Sequence, residues 1–397
     1  MSHLLNATEL LIPQESLLNA WSVVACDQYT SEPDYWNRVE ETAKGRPSAL
    51  HIMLPEIYLG DDQEARILAI NEMMAEYLTG DVFRRYPDAM IYLERRLGGG
   101  KIRRGIIGVV DLEAYDYSAG SVSPIRATEK TVLSRVPPRV HIREKAPLEM
   151  PHIMLLINDA DKTVFGSLNP SELEKVYDFD LMENGGHSTG YLVQGAKAEQ
   201  LSGAVDALKG AIRIAVGDGN HSLAAAKACF EAIKAEIGPE KAAVHPARYA
   251  LAEIVDIRDE SLVFEPIHRT VFHVDPKQLL DWLDGQPGED FAIRAVFGGG
   301  ERTIRIPANG NSLACGALQT LLDRYVAENG GEVDYIHGDD TACQLGRGDG
   351  CVSFLLPVFD KTALFEIVDR DGTLPRKAFS MGHAADKRYY LECREIR

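Results

Sequence analysis

The stretch that most constrains this chain is IRIAVGDGNHSLAAAKACFEAIK, residues 212–234. An apolar run stops at two glycines, passes through four polar residues, and becomes an alanine-rich helical pattern. Residues 212–216 read as a strand, and Leu223, Ala226, Cys229, Phe230 and Ile233 mark the apolar face of a helix. Gly217 and Gly219 allow a tight turn and close backbone approach. A helix N-terminus leaves N–H groups unpaired and carries partial positive charge, so it is a ready anion site. Asp218 cannot bind an anion itself, but it can hold Mg²⁺ or orient His221. The simpler account makes Asp218, Asn220 or Ser222 an ordinary N-cap. A plain cap, however, needs neither a histidine nor two glycines beside it.

Composition limits what such an anion is. The formal net charge of −18 over 397 residues argues against a long polyanion or an anionic membrane as partner. Any bound phosphate is expected to be small and held in a local basic pocket. The six cysteines are scattered without a C-x-x-C pair, which suits reduced thiols rather than a zinc or disulfide framework. The N-terminus lacks a basic segment followed by a long apolar core, and no apolar run approaches the ~20 residues of a membrane helix. The expectation is a cytoplasmic protein.

Along the chain, strands and helices alternate without a strict βαβα rhythm, which predicts an α+β (mixed α/β) fold. SVVACD (22–27) reads as a strand leading through a polar loop to a short helix, with Pro33 in its first turn and Ser31 or Thr30 as cap. Residues 62–83 and 196–210 read as helices, and 90–117 as two strands joined at Gly98–Gly100. SPIRATEKTVLSRVPPRVHIREKAP reads as a mixed-charge helical stretch ended by Pro137 and Pro138. Strands are expected at 152–159, 248–257 and 262–272, and the character changes near 276 to short strands and glycine turns. This gives three segments: an N-terminal region 1–125, a phosphate-binding core 126–275 and a C-terminal α+β region 276–397.

Other clusters carry chemistry. Asp27 follows a strand and is placed for general-base or metal work. Arg126 and Glu129 lie three apart, on one face if the segment is helical. His268 and Arg269 interrupt an apolar strand, so they face opposite sides. Arg376 and Lys377 follow Pro375 as a phosphate or carboxylate clamp, or as a solvated basic loop. His187 and His337 sit in glycine-punctuated turns. The P-loop, the G-x-G-x-x-G fingerprint and H-E-x-x-H are all missing from the sequence.

Six ordered motifs, VVACDQYTSEPDYW, SPIRATEKT, GDGNHSLAAAK, EPIHR, YIHG and LPRKAFS, resemble domain-of-unknown-function family 1015 over nearly the whole chain. Members of that family often carry D-G-H-H-R where this chain has Asp218, Gly219, Asn220, His221 and Ser222. The element is similar to its counterpart in free-serine kinases and, more distantly, in the ParB/sulfiredoxin-like fold, where such a turn holds nucleotide phosphates. The resemblance implies a ParB/sulfiredoxin-like core with an additional α+β C-terminal region. Asp218, Gly219 and His221 match the motif, whereas Asn220 and Ser222 depart from it and remove one cation. Pro266, His268 and Arg269 match a P-x-H-R element, and Pro375, Arg376, Lys377 and Ser380 a P-R-K-S-like element.

The expected activity is phosphotransfer between L-serine or O-phosphoserine and ADP/ATP with Mg²⁺, in either direction. Gly217, Gly219, Asn220 and Ser222 would receive phosphate, and Asp218 with His221 would hold the metal or orient the nucleotide. Arg126, His268, Arg269, Arg376 and Lys377 would bind substrate, and Asp27 or Glu129 would accept the hydroxyl proton. Such chemistry is mostly positioning and electrostatics. Two alternatives stand beside it. One is a non-catalytic ParB-like nucleotide switch, for which a homodimer is expected. The other is a metal-dependent hydrolase using His187, Asp218, His221 or His337.

Overall fold

The fold is built on a long hairpin. In the computed structural model, which describes residues 2–60, 62–118, 120–131, 136–150 and 152–397, the chain divides into two units. The first comprises residues 2–262 and 383–397, and the second residues 263–382. The border expected near 125 falls inside a strand of the first unit, and the one near 275 lies within the second. The last fifteen residues return to the first unit, a relationship that no local sequence signal announces.

In the first unit, β1 (Thr8–Pro13) is followed by α1 (Pro33–Ala43) and α2 (Gln63–Thr79). β2 (Phe83–Arg96) and β3 (Ile102–Asp111) form the expected hairpin, with Gly100 at φ 82° in its turn. Then come β4 (Ile125–Ala127), α3 (Val136–Arg143), β5 (Met154–Ile157), β6 (Glu174–Asp180), β7 (His187–Gln194) and α4 (Ala196–Asp206). β8 (Ile214–Asp218), α5 (Asn220–Ile237) and β9 (Tyr249–Asp256) complete the series. The sheet runs β6-β7-β2-β3-β9-β5-β8-β4 and ends on the two-residue strand Tyr115–Asp116. β9 is parallel to β5 and β8 to β4, while the hairpin pairs are antiparallel, so the sheet is mixed.

Both faces are covered, because alternate residues of the central strands point opposite ways. Ile91, Leu93, Ile107 and Val109 join Trp36 of α1 and Met74 of α2 on one side. Met90, Tyr92, Ile106 and Val110 join Leu201 of α4 and Leu223 and Phe230 of α5 on the other. A strand buried on both faces reads as a continuous apolar run, as IIGVV in β3 does.

Several local expectations are corrected. Pro33 opens α1, but the cap position is Glu32, without a side-chain capping bond. The stretch beginning SPIRATEK is not one helix: Arg126 lies in β4, and Pro137 and Pro138 sit near the start of α3 rather than ending a helix. The first turn of a helix needs no partner for the missing proline N–H. The part of that expected helix at 132–135 lies outside the described residues.

The second unit holds a six-stranded sheet. β10 (Phe264–Phe272) is its longest strand, followed by α6 (Pro276–Asp284), β11 (Phe291–Phe297), β12 (Gly300–Ile306) and α7 (Ala314–Asn329). β13 (Glu332–His337), α8 (Asp339–Gly346), β14 (Cys351–Leu355), α9 (Leu364–Asp371) and β15 (Phe379–Met381) follow. The order is β12-β11-β14-β10-β13, with β15 on β10. The mixed α/β class expected from the sequence holds for the whole chain.

Candidate functional site: the mouth of helix α5

The strand, turn and helix read from residues 212–234 are present as β8, Gly219 and α5. None of the three expected side-chain caps is used. Gly219 itself is the N-cap, at φ 85° and ψ 26°, and Asp218 Oδ1 accepts its N–H at 2.9 Å. The conformation is left-handed, and a Cβ on residue 219 would lie 3.1 Å from Ile153 Cα, so glycine is required twice over. The first turn of this 18-residue helix therefore has no side-chain cap. Asn220, its first residue, is buried, and its Oδ1 has no hydrogen-bond partner.

Two sequence motifs meet here through the sheet. β4 lies parallel to β8, with Arg126 opposite Ala215 and Ala127 opposite Val216, and Thr128 Oγ1 donates to Val216 O at 2.6 Å. Arg126 is buried and spends its Nε on Ser123 O at 2.8 Å, while Glu129 is exposed just beyond the strand. On the other side β5 pairs with β8, Met154 standing opposite Asp218.

The returning C-terminal segment supplies what the motif lacks. Lys387 Nζ lies 2.9 Å from Asp218 Oδ2, so a cation stands at the turn where Ser222 replaces the family's arginine. Tyr390, from the same segment, bonds His152 Nδ1 at 3.0 Å. His152 Nε2 lies 3.9 Å from Asp27 Oδ2. Burial alone would lower the His152 pKa, but Asp27, Cys26 and Asp218 outweigh it and raise it to about 9. Burial likewise opposes ionisation of Asp27, yet His152, a hydrogen bond from Gln28 and Lys387 hold its carboxyl below the usual range. At neutral pH His152 is therefore an imidazolium facing the ionised Asp27. Neither His152, Lys387 nor Tyr390 was singled out by motif: each is chemically ordinary until the fold carries it to α5.

Behind the site lies a buried charge network. Glu253 on β9 is inaccessible to solvent and pairs with Arg103 at 3.0 Å and Arg388 at 3.2 Å, while Arg388 reaches Glu392 at 2.5 Å. Burial penalises the Glu253 carboxylate, but the two guanidiniums prevail and its pKa falls. This anchors the segment that carries Lys387.

The remaining expected residues have other company. His268 is buried in β10 of the second unit, its Nδ1 accepting Leu356 N–H at 3.0 Å and its Nε2 2.9 Å from Asp339 Oδ1. Arg269, also buried, donates to Gln319 Oε1 at 3.1 Å and to the carbonyls of Ile267, Arg376 and Lys377. Its guanidinium thus shapes the Pro375–Lys377 loop, leaving Arg376 and Lys377 themselves exposed. His187 bonds Asp178 at 2.5 Å and Asp180 at 2.7 Å on the β6–β7 hairpin. His337 ends β13 in the second unit.

These placements bear on metal chemistry. Among the described residues no group of three or more His, Cys, Asp or Glu side chains could hold a metal ion. Asp218, the expected metal ligand, has one oxygen on Gly219 N–H and the other on Lys387. Asp218 is thus engaged on both oxygens and belongs to no group of three such donors among the described residues.

No helix among the described residues is long and apolar enough to cross a membrane. No curated protein matches this chain in sequence. Among solved structures, a free serine kinase variant in complex with ADP is 11% identical, with a TM-score of 0.40, covering 73% of this chain and 92% of that one. SbnI with C-terminal truncation from Staphylococcus aureus is 11% identical, with a TM-score of 0.37, covering 70% and 82%. A conserved hypothetical protein from Pyrococcus furiosus is 12% identical, with a TM-score of 0.35, covering 69% and 94%. The profile of the family described as "Protein of unknown function (DUF1015)" matches residues 8–393, a span that contains all six ordered motifs, and this chain is a member of that family.

Proposed function

We propose that the mouth of α5 binds the phosphates of a nucleotide and that the protein moves a phosphoryl group between that nucleotide and the hydroxyl of L-serine, in either direction. The observation that carries the reading is the Lys387 ammonium held by Asp218 at the uncapped N-terminus of α5. Backbone N–H groups and an ammonium converging on one point suit an oxyanion that gains charge during transfer. Asn220 Oδ1, buried without a partner, would accept a hydrogen bond from the ligand.

Other residues take roles from their surroundings. Asp27, held ionised beside His152, is a weak base, and its part is to keep the imidazolium charged. His152 would then offer positive charge close to Asp218 and the helix mouth. Glu129, exposed beyond β4, is the better acceptor for the serine hydroxyl proton. Loose phosphoryl-transfer transition states ask little of a base, so positioning dominates. Mg²⁺ would arrive coordinated by the nucleotide. His268 and Arg269 would act by shaping their own unit, because their polar groups are already engaged.

Phosphorus NMR tests the reading. Purified protein is incubated with Mg²⁺ and O-phosphoserine, with and without ADP. ATP formed only in the presence of ADP supports reversible serine phosphotransfer. Inorganic phosphate released without nucleotide would make the protein a phosphatase, and no turnover despite nucleotide binding would make it a switch.

A further inference from the structure

Beside the helix mouth is a cavity of about 150 Å³ that the phosphotransfer reading does not use. Its walls are largely apolar and rich in methionine, with Met53, Met74 and Met150 among them. A volume of this size accommodates a benzene-sized group, and the polarisable thioether of methionine suits an unsaturated one. Polar groups border it as well, Cys26, His152, Tyr390 and Ser222 among them.

These polar groups form a connected cluster. Cys26, His152 and Tyr390 line the cavity together. Tyr390 in turn bonds His152 Nδ1 at 3.0 Å and accepts the Cys26 backbone N–H at 3.4 Å. His152 is buried and Cys26 partly exposed, so the imidazole is fixed while the sulfur is reachable. A cysteine beside an imidazolium at the edge of a cavity is the arrangement that makes sulfur nucleophilic.

We propose that Cys26 is the nucleophile of a second, covalent site, which takes α,β-unsaturated carbonyl compounds carrying an apolar group of benzene size. In the reaction the sulfur bonds to the β-carbon as the carbon–carbon π bond breaks. The thiol proton passes to solvent, and the His152 imidazolium gives its proton to the α-carbon and is recharged from solvent, so no oxidant or reductant is consumed. The apolar group occupies the cavity between Met53 and Met150. The site shares His152 with the phosphotransfer reading, but its labelling is measured without nucleotide or serine, so either can fail alone.

The test uses the full-length protein with substoichiometric N-phenylmaleimide, and iodoacetamide as a small probe without a ring. Labelling of each cysteine is followed by peptide mass spectrometry. Cys343 and Cys351 are the internal controls, because both are partly exposed, whereas Cys229, Cys315 and Cys393 are buried. Cys26 is expected to react with N-phenylmaleimide at least about tenfold faster than either control, and His152→Asn to slow it by about the same factor. Leu54→Trp, which fills the cavity from its apolar side, should slow N-phenylmaleimide but leave iodoacetamide unchanged. Because His152→Asn alters a buried residue, its thermal unfolding is measured alongside; Leu54→Trp gives a reading that does not depend on it. Labelling of Cys26 no faster than of Cys351, or equal slowing of both probes by Leu54→Trp, would overturn the proposal.

Discussion

Lys387 and Asp218 are 169 residues apart in sequence and 2.9 Å apart in space. Their ion pair joins the last segment of the chain to the turn that opens α5. It places a positive charge at a helix terminus that already favours anions.

Replacing Lys387 with alanine should weaken ADP binding about tenfold, roughly 1.4 kcal/mol, with little change in unfolding free energy. Both side chains of the pair are partly exposed, so the pair itself adds little to stability. Titration calorimetry with ADP and urea unfolding of the same sample separate the two effects. Unchanged affinity would remove Lys387 from the site.

Gly219→Ala should destabilise the fold by about 1–2 kcal/mol and weaken nucleotide binding as well. The new Cβ must be accommodated at φ 85° and 3.1 Å from Ile153 Cα. Urea denaturation gives the first quantity and ADP titration the second. Wild-type values for both would mean that the turn relaxes freely.

The pH dependence follows from His152. Its folded-state pKa, about 9, lies above the ordinary imidazole value of 6.5. The stability it contributes is therefore complete below about 6.5 and is lost as pH rises through about 9. Asp27 works in the opposite direction: its lowered pKa contributes stability above the ordinary carboxylate range, lost on acidification. Imidazole NMR across pH 5–10 should show one histidine titrating far above the others, and Asp27→Asn should lower that value.

Glu253→Ala should cost about 3–5 kcal/mol, because it leaves Arg103 buried without its carboxylate and Arg388 with Glu392 alone. A substitution of this kind also loosens the segment that carries Lys387, so nucleotide affinity should fall with stability. Hydrogen exchange at residues 386–392 reports that loosening directly. Protection equal to wild type would show the segment held by its other contacts.

His187→Ala should change stability by no more than about 0.5 kcal/mol and leave serine phosphotransfer intact. The histidine is partly exposed, and its partners Asp178 and Asp180 lie on the same hairpin. An activity loss measured in the NMR assay would restore this histidine to the site.

The sequence by itself determined what local periodicity and backbone sterics control. The β8–Gly219–α5 element and the β2–β3 hairpin at Gly98–Gly100 were both legible, because each is fixed by neighbours within a few residues. The polar residues at the mouth of α5 were visible for the same reason. Where local pattern was ambiguous it misled: Arg126 and Glu129 have helical spacing, yet Arg126 lies in a strand whose partner is β8. Pairing across a sheet is decided by burial of both faces, which no short window contains. The same holds for His268 and Arg269, which resemble ligands until their partners Asp339, Gln319 and the Arg376 carbonyl are seen.

Only the tertiary structure decided what completes the site. Lys387 and Tyr390 reach α5 because residues 383–397 fold back onto the first unit after the whole of the second has been traversed. Trp21 Nε1 donates to Leu391 O, and Arg388 joins Glu253 and Glu392, so the return is fixed by buried contacts distant in sequence. Hydrophobic burial and charge pairing act through space, whereas helix and turn propensities act along the chain. The turn could therefore be read from the sequence, and the cation it holds could not.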